Sequence, residues 1–100
     1  MKLQEILYKV GIEKLIGTTD LEMYNIQFDS RKVKQSTLFV AIKGTVSDGH
    51  QFIDGAIENG AVAVVLENIP EKINEDITYI QVVSSYDALG VIAANFYNNP

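Results

Sequence analysis

Two short runs, Thr37-Leu38-Phe39-Val40-Ala41-Ile42 and Ala61-Val62-Ala63-Val64-Val65-Leu66, limit what this chain can fold into. Neither approaches the roughly 20 residues that a membrane helix needs. Both are continuous, apolar and rich in β-branched side chains, without the alternation of a strand wetted on one face. That pattern suits strands buried on both faces, as in a parallel sheet. Between them, Phe52, Ile53, Ala56 and Ile57 fall on one face of a helix over 51–59, and Gly60 is a natural stop. Strand, helix and strand in this order make a β-α-β unit, and such crossovers are right-handed in nearly all cases.

The flanking segments extend the pattern. Leu3, Ile6, Leu7 and Val10 share one helical face, and Gly11 follows as its stop. Gly17 to Asp20 reads as a polar linker. Met23 to Phe28 reads as a strand with Ile26 and Phe28 on one face. Asn68 to Asp76 is a polar loop, and Tyr79 to Val83 a further short strand. Ser84 with Asp87 predicts a helix N-cap, and Leu89, Ile92, Ala93 and Phe96 form the last apolar stripe, closed by Asn98-Asn99-Pro100. The expected architecture is α/β: a single small domain over 1–100, with a mostly parallel sheet flanked by helices.

Composition excludes several functions. The 100 residues contain no cysteine and one histidine, so disulfides, thiolate zinc sites and multi-histidine metal sites are excluded. The net charge of −5 argues against nucleic acid, whose affinity comes from many Lys and Arg contacts to phosphate. A small anion remains possible, because one helix N-terminus and one basic side chain can hold a diphosphate. The first ten residues lack the apolar core of a signal peptide, so a cytoplasmic protein is expected. The chain stops at a proline directly after a helix, which reads as a domain boundary.

Two stretches can carry chemistry. Asp29-Ser30-Arg31 reads either as a turn closed by its own Asp–Arg pair, or as a polar corner presenting the Ser30 hydroxyl and neighbouring backbone to a ligand. No histidine lies near Ser30 in sequence, so a nucleophile is not expected there. Gly44-Thr45-Val46-Ser47-Asp48-Gly49-His50 leaves the carboxyl end of a strand and enters a helix, with Asp48 as candidate N-cap and Gln51 as its capping-box partner. That position suits an anionic ligand in an open α/β sheet. It equally suits an ordinary capped loop, with His50 merely packing. It is not a Walker A loop, because no Gly-Lys-Ser/Thr ending is present.

Together, DSRKVKQSTLFVAIKG, SDGHQFIDGAIENGAVAVV and ANFYNNP resemble the N-terminal domain of the Mur ligases, nearest to those of the MurE type. The similarity spans essentially the whole chain. One departure is Gln35-Ser36-Thr37, where the family usually has a glycine and an acid ahead of Leu-Phe. The resemblance implies a cytoplasmic peptidoglycan ligase. The full-length parent uses ATP and Mg2+ to join an amino acid, meso-diaminopimelate or lysine, to UDP-N-acetylmuramoyl-L-alanyl-D-glutamate through an acyl phosphate. It implies that this domain holds the UDP end, while central and C-terminal domains outside these residues bind ATP and choose the amino acid. Carried over by motif, substrate contacts fall on Phe28, Ser30, Thr45, Val46 and Ser47. Asp29, Arg31, Asp48 and His50 support them. The family often has a histidine or other long polar group where Thr45 stands. The resemblance implies no catalytic residue, metal or bound cofactor in the fragment; the charge and the short apolar runs already speak against a nucleic-acid or membrane partner. The alternatives are the same domain from a MurF-type ligase that adds D-alanyl-D-alanine, and a non-catalytic α/β interaction module.

Overall fold

The structure, a computed structural model, describes residues 1–42 and 49–97. Five strands form one sheet: β1 (Ile12–Ile16), β2 (Asn25–Gln27), β3 (Thr37–Val40), β4 (Ala61–Leu66) and β5 (Thr78–Val82). Their order across the sheet is β1-β5-β4-β3-β2. The pairs β2–β3, β3–β4 and β4–β5 are parallel, and only β1 runs antiparallel, against β5. The expected mostly parallel α/β domain is therefore what forms.

The two apolar runs are the central strands. All of β3 is buried, as is β4 apart from the half-buried Val62, because helices cover both faces of the sheet. On one face Leu38, Val40, Ala63, Val65, Ile80 and Val82 pack against α1 (Leu3–Ile6) and α3 (Ser85–Tyr97). On the other, Phe39, Val64, Leu66 and Tyr79 pack against Val33 and against Ile53 and Ala56 of α2 (Ile53–Glu58). Each large apolar side chain buried this way contributes about 1.5–3 kcal/mol relative to exposure.

Capping follows the sequence at α3 and departs from it at the end of α1. The Asp87 N–H donates to Ser84 Oγ at 3.2 Å, so Ser84 caps α3 as expected. Glu67 joins it: its Oε2 accepts the Ser85 N–H at 2.9 Å and the Ser85 hydroxyl at 3.0 Å, placing a carboxylate at the positive end of the helix. The α1 helix is shorter than its apolar face predicts. It ends at Ile6, and the turn beyond it puts Lys9, not Gly11, at positive φ (66°). Asn95 Nδ2 donates to the carbonyls of Ile6 and Tyr8 at 2.8 and 2.7 Å, using acceptors that a continuing helix would have satisfied internally. The α-helical part of α2 starts at Ile53 after a 3-10 turn over Gly49–Phe52, with Phe52 exposed in the N-cap position and no side-chain cap. Asp48 lies outside the described residues, as do residues 98–100.

The connection from β2 to β3 is pressed onto the end of α2. Gly60 has φ +122°, and a Cβ there would stand 2.7 Å from both the Lys34 carbonyl oxygen and the Gln35 Cα. The Ser36 N–H donates to the Gly60 carbonyl at 3.1 Å. Ser36 itself has φ 58°, a left-handed conformation that glycine adopts most easily. It lies within the Gln35-Ser36-Thr37 departure, where the family pattern carries a glycine.

Candidate functional site

β2 and β3 are adjacent and parallel, in register from Asn25 opposite Thr37 to Gln27 opposite Phe39. Their carboxyl ends therefore lie side by side, at the ~4.8 Å spacing of neighbouring strands. Phe28–Ser30 follows the end of β2. Residues 43–48, which hold the second predicted wall, follow the end of β3. Thr45, Val46, Ser47 and Asp48 lie outside the described residues. His50 sits in the 3-10 turn that leads into α2.

The first corner is built by local chemistry. Alternation predicts Phe28 inside the strand beside Ile26. Phe28 instead lies just past the strand end and is 63% exposed, whereas Ile26 is buried. The reason is the turn that begins at Asp29. Asp29 caps the 3-10 turn Ser30–Lys32, accepting the Arg31 N–H on Oδ1 at 3.0 Å. The Arg31 guanidinium then closes on the same carboxylate, Nε to Oδ1 at 3.0 Å and Nη2 to Oδ2 at 2.9 Å. The side-chain hydrogen bonds from Arg31, and then its backbone N–H, hold the Asp29 carboxyl below its ordinary value, and the guanidinium is raised in turn. The reading as a turn closed by its own Asp–Arg pair is what forms. The Asp–Arg pair closes the turn, and the closed turn directs the chain outward at Phe28 and Ser30.

Ser30 is half-buried, and its hydroxyl has no hydrogen-bond partner among the described residues. Its carbonyl accepts from Asn59 Nδ2 at 2.9 Å, across 29 residues of sequence. Sequence reasoning misses Asn59, since Asn-Gly after an apolar helix reads only as a stop. Beside the corner, Tyr24, Asn25, Gln27, Lys32, Lys34 and Gln35 line an open depression of about 600 Å³ along the β2 edge. It places two lysines on this flank of an otherwise acidic chain.

The sequence contains no Gly-Lys pair, and among the described residues no three acidic, histidine or cysteine side chains gather to hold a metal. Among the described residues no helix is long and apolar enough to cross a membrane.

A mostly parallel sheet covered by helices on both faces is an open α/β domain, the kind of fold in which ligands sit at the carboxyl ends of the strands. The family model named Mur ligase family, catalytic domain, matches residues 22–97, and this chain belongs to the Mur ligase family. The UDP-N-acetylmuramoyl-L-alanyl-D-glutamate--2,6-diaminopimelate ligase of Cytophaga hutchinsonii is 46% identical over the whole of this chain and 21% of its own length. The enzyme of the same name from Clostridium tetani is 45% identical over the whole chain and again 21% of its own. The chain thus spans about a fifth of the length of these relatives. Among solved structures, MurF from Acinetobacter baumannii superposes with a TM-score of 0.70 at 24% identity, over 94% of this chain and 20% of that one. The MurF ligase from Thermotoga maritima in complex with ADP gives 0.63 at 34% identity, over 77% and 17%. The MurF likeness at 24% identity speaks to the fold alone. The sequence relatives carry the diaminopimelate-ligase name.

Proposed function

We propose that this chain is the N-terminal substrate-binding domain of a cytoplasmic peptidoglycan ligase of the MurE type, and that it holds the UDP end of UDP-N-acetylmuramoyl-L-alanyl-D-glutamate. The parent enzyme uses ATP and Mg2+, bound outside these residues, to form the amide bond. The names of the relatives favour 2,6-diaminopimelate over lysine as the added amino acid, and favour the MurE type over the MurF type. Phe28 and Ser30 form one wall of the nucleotide pocket, and Thr45, Val46 and Ser47 form the other. Asp29 and Arg31 support the first wall, and Asp48 and His50 the second.

The observation that carries this reading is the placement of the Phe28–Ser30 corner beside the end of β3. An exposed aromatic ring offers a surface for a uracil base, and the Ser30 hydroxyl can bond ribose or phosphate. Lys32, in the turn that follows this corner, lends local positive charge that suits a diphosphate. The domain supplies no reacting group. Its contribution is to position a substrate whose reacting carboxylate lies far from the uridine.

The test has two parts. Titrating the 100-residue chain with UDP should shift the amide resonances of residues 28–30 and 45–47, and no shift at millimolar UDP would count against the pocket. In the full-length ligase, Ser30→Ala should raise KM for the nucleotide substrate by the worth of one neutral hydrogen bond, on the order of 1 kcal/mol. An unchanged KM would remove Ser30 from the site.

A further inference from the structure

We infer that Asn59 is a positioning residue for the nucleotide pocket: its side-chain amide holds the Ser30 carbonyl and thereby fixes the Phe28–Ser30 corner against the end of α2. The inference rests on the reading of that corner as a substrate wall.

Backbone conformation does not explain an asparagine at this position. Near a helix C-terminus, asparagine commonly supplies a left-handed residue. Here Asn59 is right-handed, at φ −82° and ψ −5°, and the left-handed step falls on Gly60. The side chain is exposed, so it does not fill the core either. Its amide reaches one distant group, the Ser30 carbonyl, at 2.9 Å.

Within its own turn the Ser30 carbonyl accepts only the Val33 N–H, at a long 3.4 Å. The far end of the β2–β3 connection is pinned by backbone alone, through the Ser36–Gly60 hydrogen bond and the close approach of Gly60 to Lys34 and Gln35. Among the described residues, the near end, where Phe28 and Ser30 stand, has no such backbone tie to α2. Val33 anchors the turn by burial in the core, which fixes its depth but not its orientation. Among the described residues, the Asn59 amide is the one side-chain hydrogen bond from the α2 end to this turn.

The test uses the full-length ligase with Asn59→Asp, nearly isosteric but placing an oxygen against the carbonyl, and with Asn59→Ala. Ser30→Ala is made in parallel. Both Asn59 variants should raise KM for the UDP-muramoyl dipeptide about three- to tenfold, the loss of one hydrogen bond. They should leave kcat and the KM values for ATP and the amino acid near wild type. Asn59→Gln, which keeps the donor, should recover part of the loss. A nucleotide KM at the wild-type value in both variants overturns the inference, whatever happens to kcat. Loss of fold in both assigns Asn59 to stability alone and overturns it too. If Ser30→Ala also leaves KM unchanged, the failure lies with the pocket itself. If Ser30→Ala raises KM and the Asn59 variants do not, only the role of Asn59 fails.

Discussion

Replacing Gly60 with alanine should destabilise the domain far more than an ordinary glycine substitution. At φ +122° an L-residue is strained, which costs about 1–3 kcal/mol. The added Cβ would stand 2.7 Å from the Lys34 carbonyl oxygen and the Gln35 Cα, and 2.8 Å from the Gln35 nitrogen. These are backbone atoms, so no rotamer change relieves the overlap, and forced repacking of this kind costs about 1–3 kcal/mol more. Reduced entropy of the unfolded chain returns only about 0.4–1 kcal/mol. The net loss is about 1–5.5 kcal/mol, against a total stability of roughly 5–15 kcal/mol for a domain. For a domain of this size Tm should fall by at least about 4 °C. Gly90→Ala is the internal reference: Gly90 is exposed within α3, and a Cβ there would meet nothing within 4 Å, so alanine should stabilise by about 0.5–1 kcal/mol. Urea denaturation followed by far-UV circular dichroism, with tyrosine fluorescence as second probe because the chain has five tyrosines and no tryptophan, measures both. A Gly60→Ala protein within about 0.5 kcal/mol of wild type would refute the steric reasoning at this junction.

Two further perturbations probe other parts of the fold. The buried Tyr79 hydroxyl accepts the Asn74 N–H at 3.0 Å; Tyr79→Phe keeps the ring in the core but orphans that donor, and should cost about 1–2 kcal/mol in chemical denaturation, with faster hydrogen exchange at Asn74. The Asp29 carboxyl is held below its ordinary 3.8, first by the side-chain hydrogen bonds from Arg31. A depressed folded value means that its stabilisation is fully present above the ordinary value and is lost as pH falls through the lowered one. The stability difference between wild type and Asp29→Asn should therefore stay constant from neutral pH to about pH 5 and shrink in stronger acid; a difference that changes between pH 8 and pH 6 would contradict the pairing.

The central β-α-β unit was legible because its signals are local: two uniformly apolar runs, a helical face and a closing glycine. β1 was not. Its residues Ile12-Glu13-Lys14-Leu15-Ile16 are mostly exposed, so neither period 2 nor a buried run marks them. The segment is a strand because β5, more than sixty residues away, offers an edge to pair with. The early end of α1 has the same kind of cause, since Asn95 on α3 takes the carbonyls of Ile6 and Tyr8. At the site, Asp29-Ser30-Arg31 could be read because the turn is closed by its own side chains. Asn59 could not, because its partner is remote in sequence. Phe28 falls on the other side of the strand end from the one its spacing suggests, because alternation alone cannot say where a strand stops.

The location of the corner also has a physical logic. β2 is three residues long and, among the described residues, has a sheet neighbour on one side only. An edge strand so short would be a weak support for a binding surface that must hold its geometry. A central strand would be firmer, but its flanks are occupied by neighbours on both sides, which leaves less room for a ligand. The chain meets the two demands by separating them. On the proposed reading the edge supplies access, with Phe28 exposed at the strand end, and rigidity comes from hydrogen bonds outside the strand ladder. Asp29 closes the turn onto Arg31, Asn59 ties the Ser30 carbonyl to α2, and Gly60 lets the rest of the connection lie flat on the helix end. Regions held by few buried contacts open most readily, so weakening the Asp29–Arg31 or the Asn59 tie should loosen the corner before it melts the core.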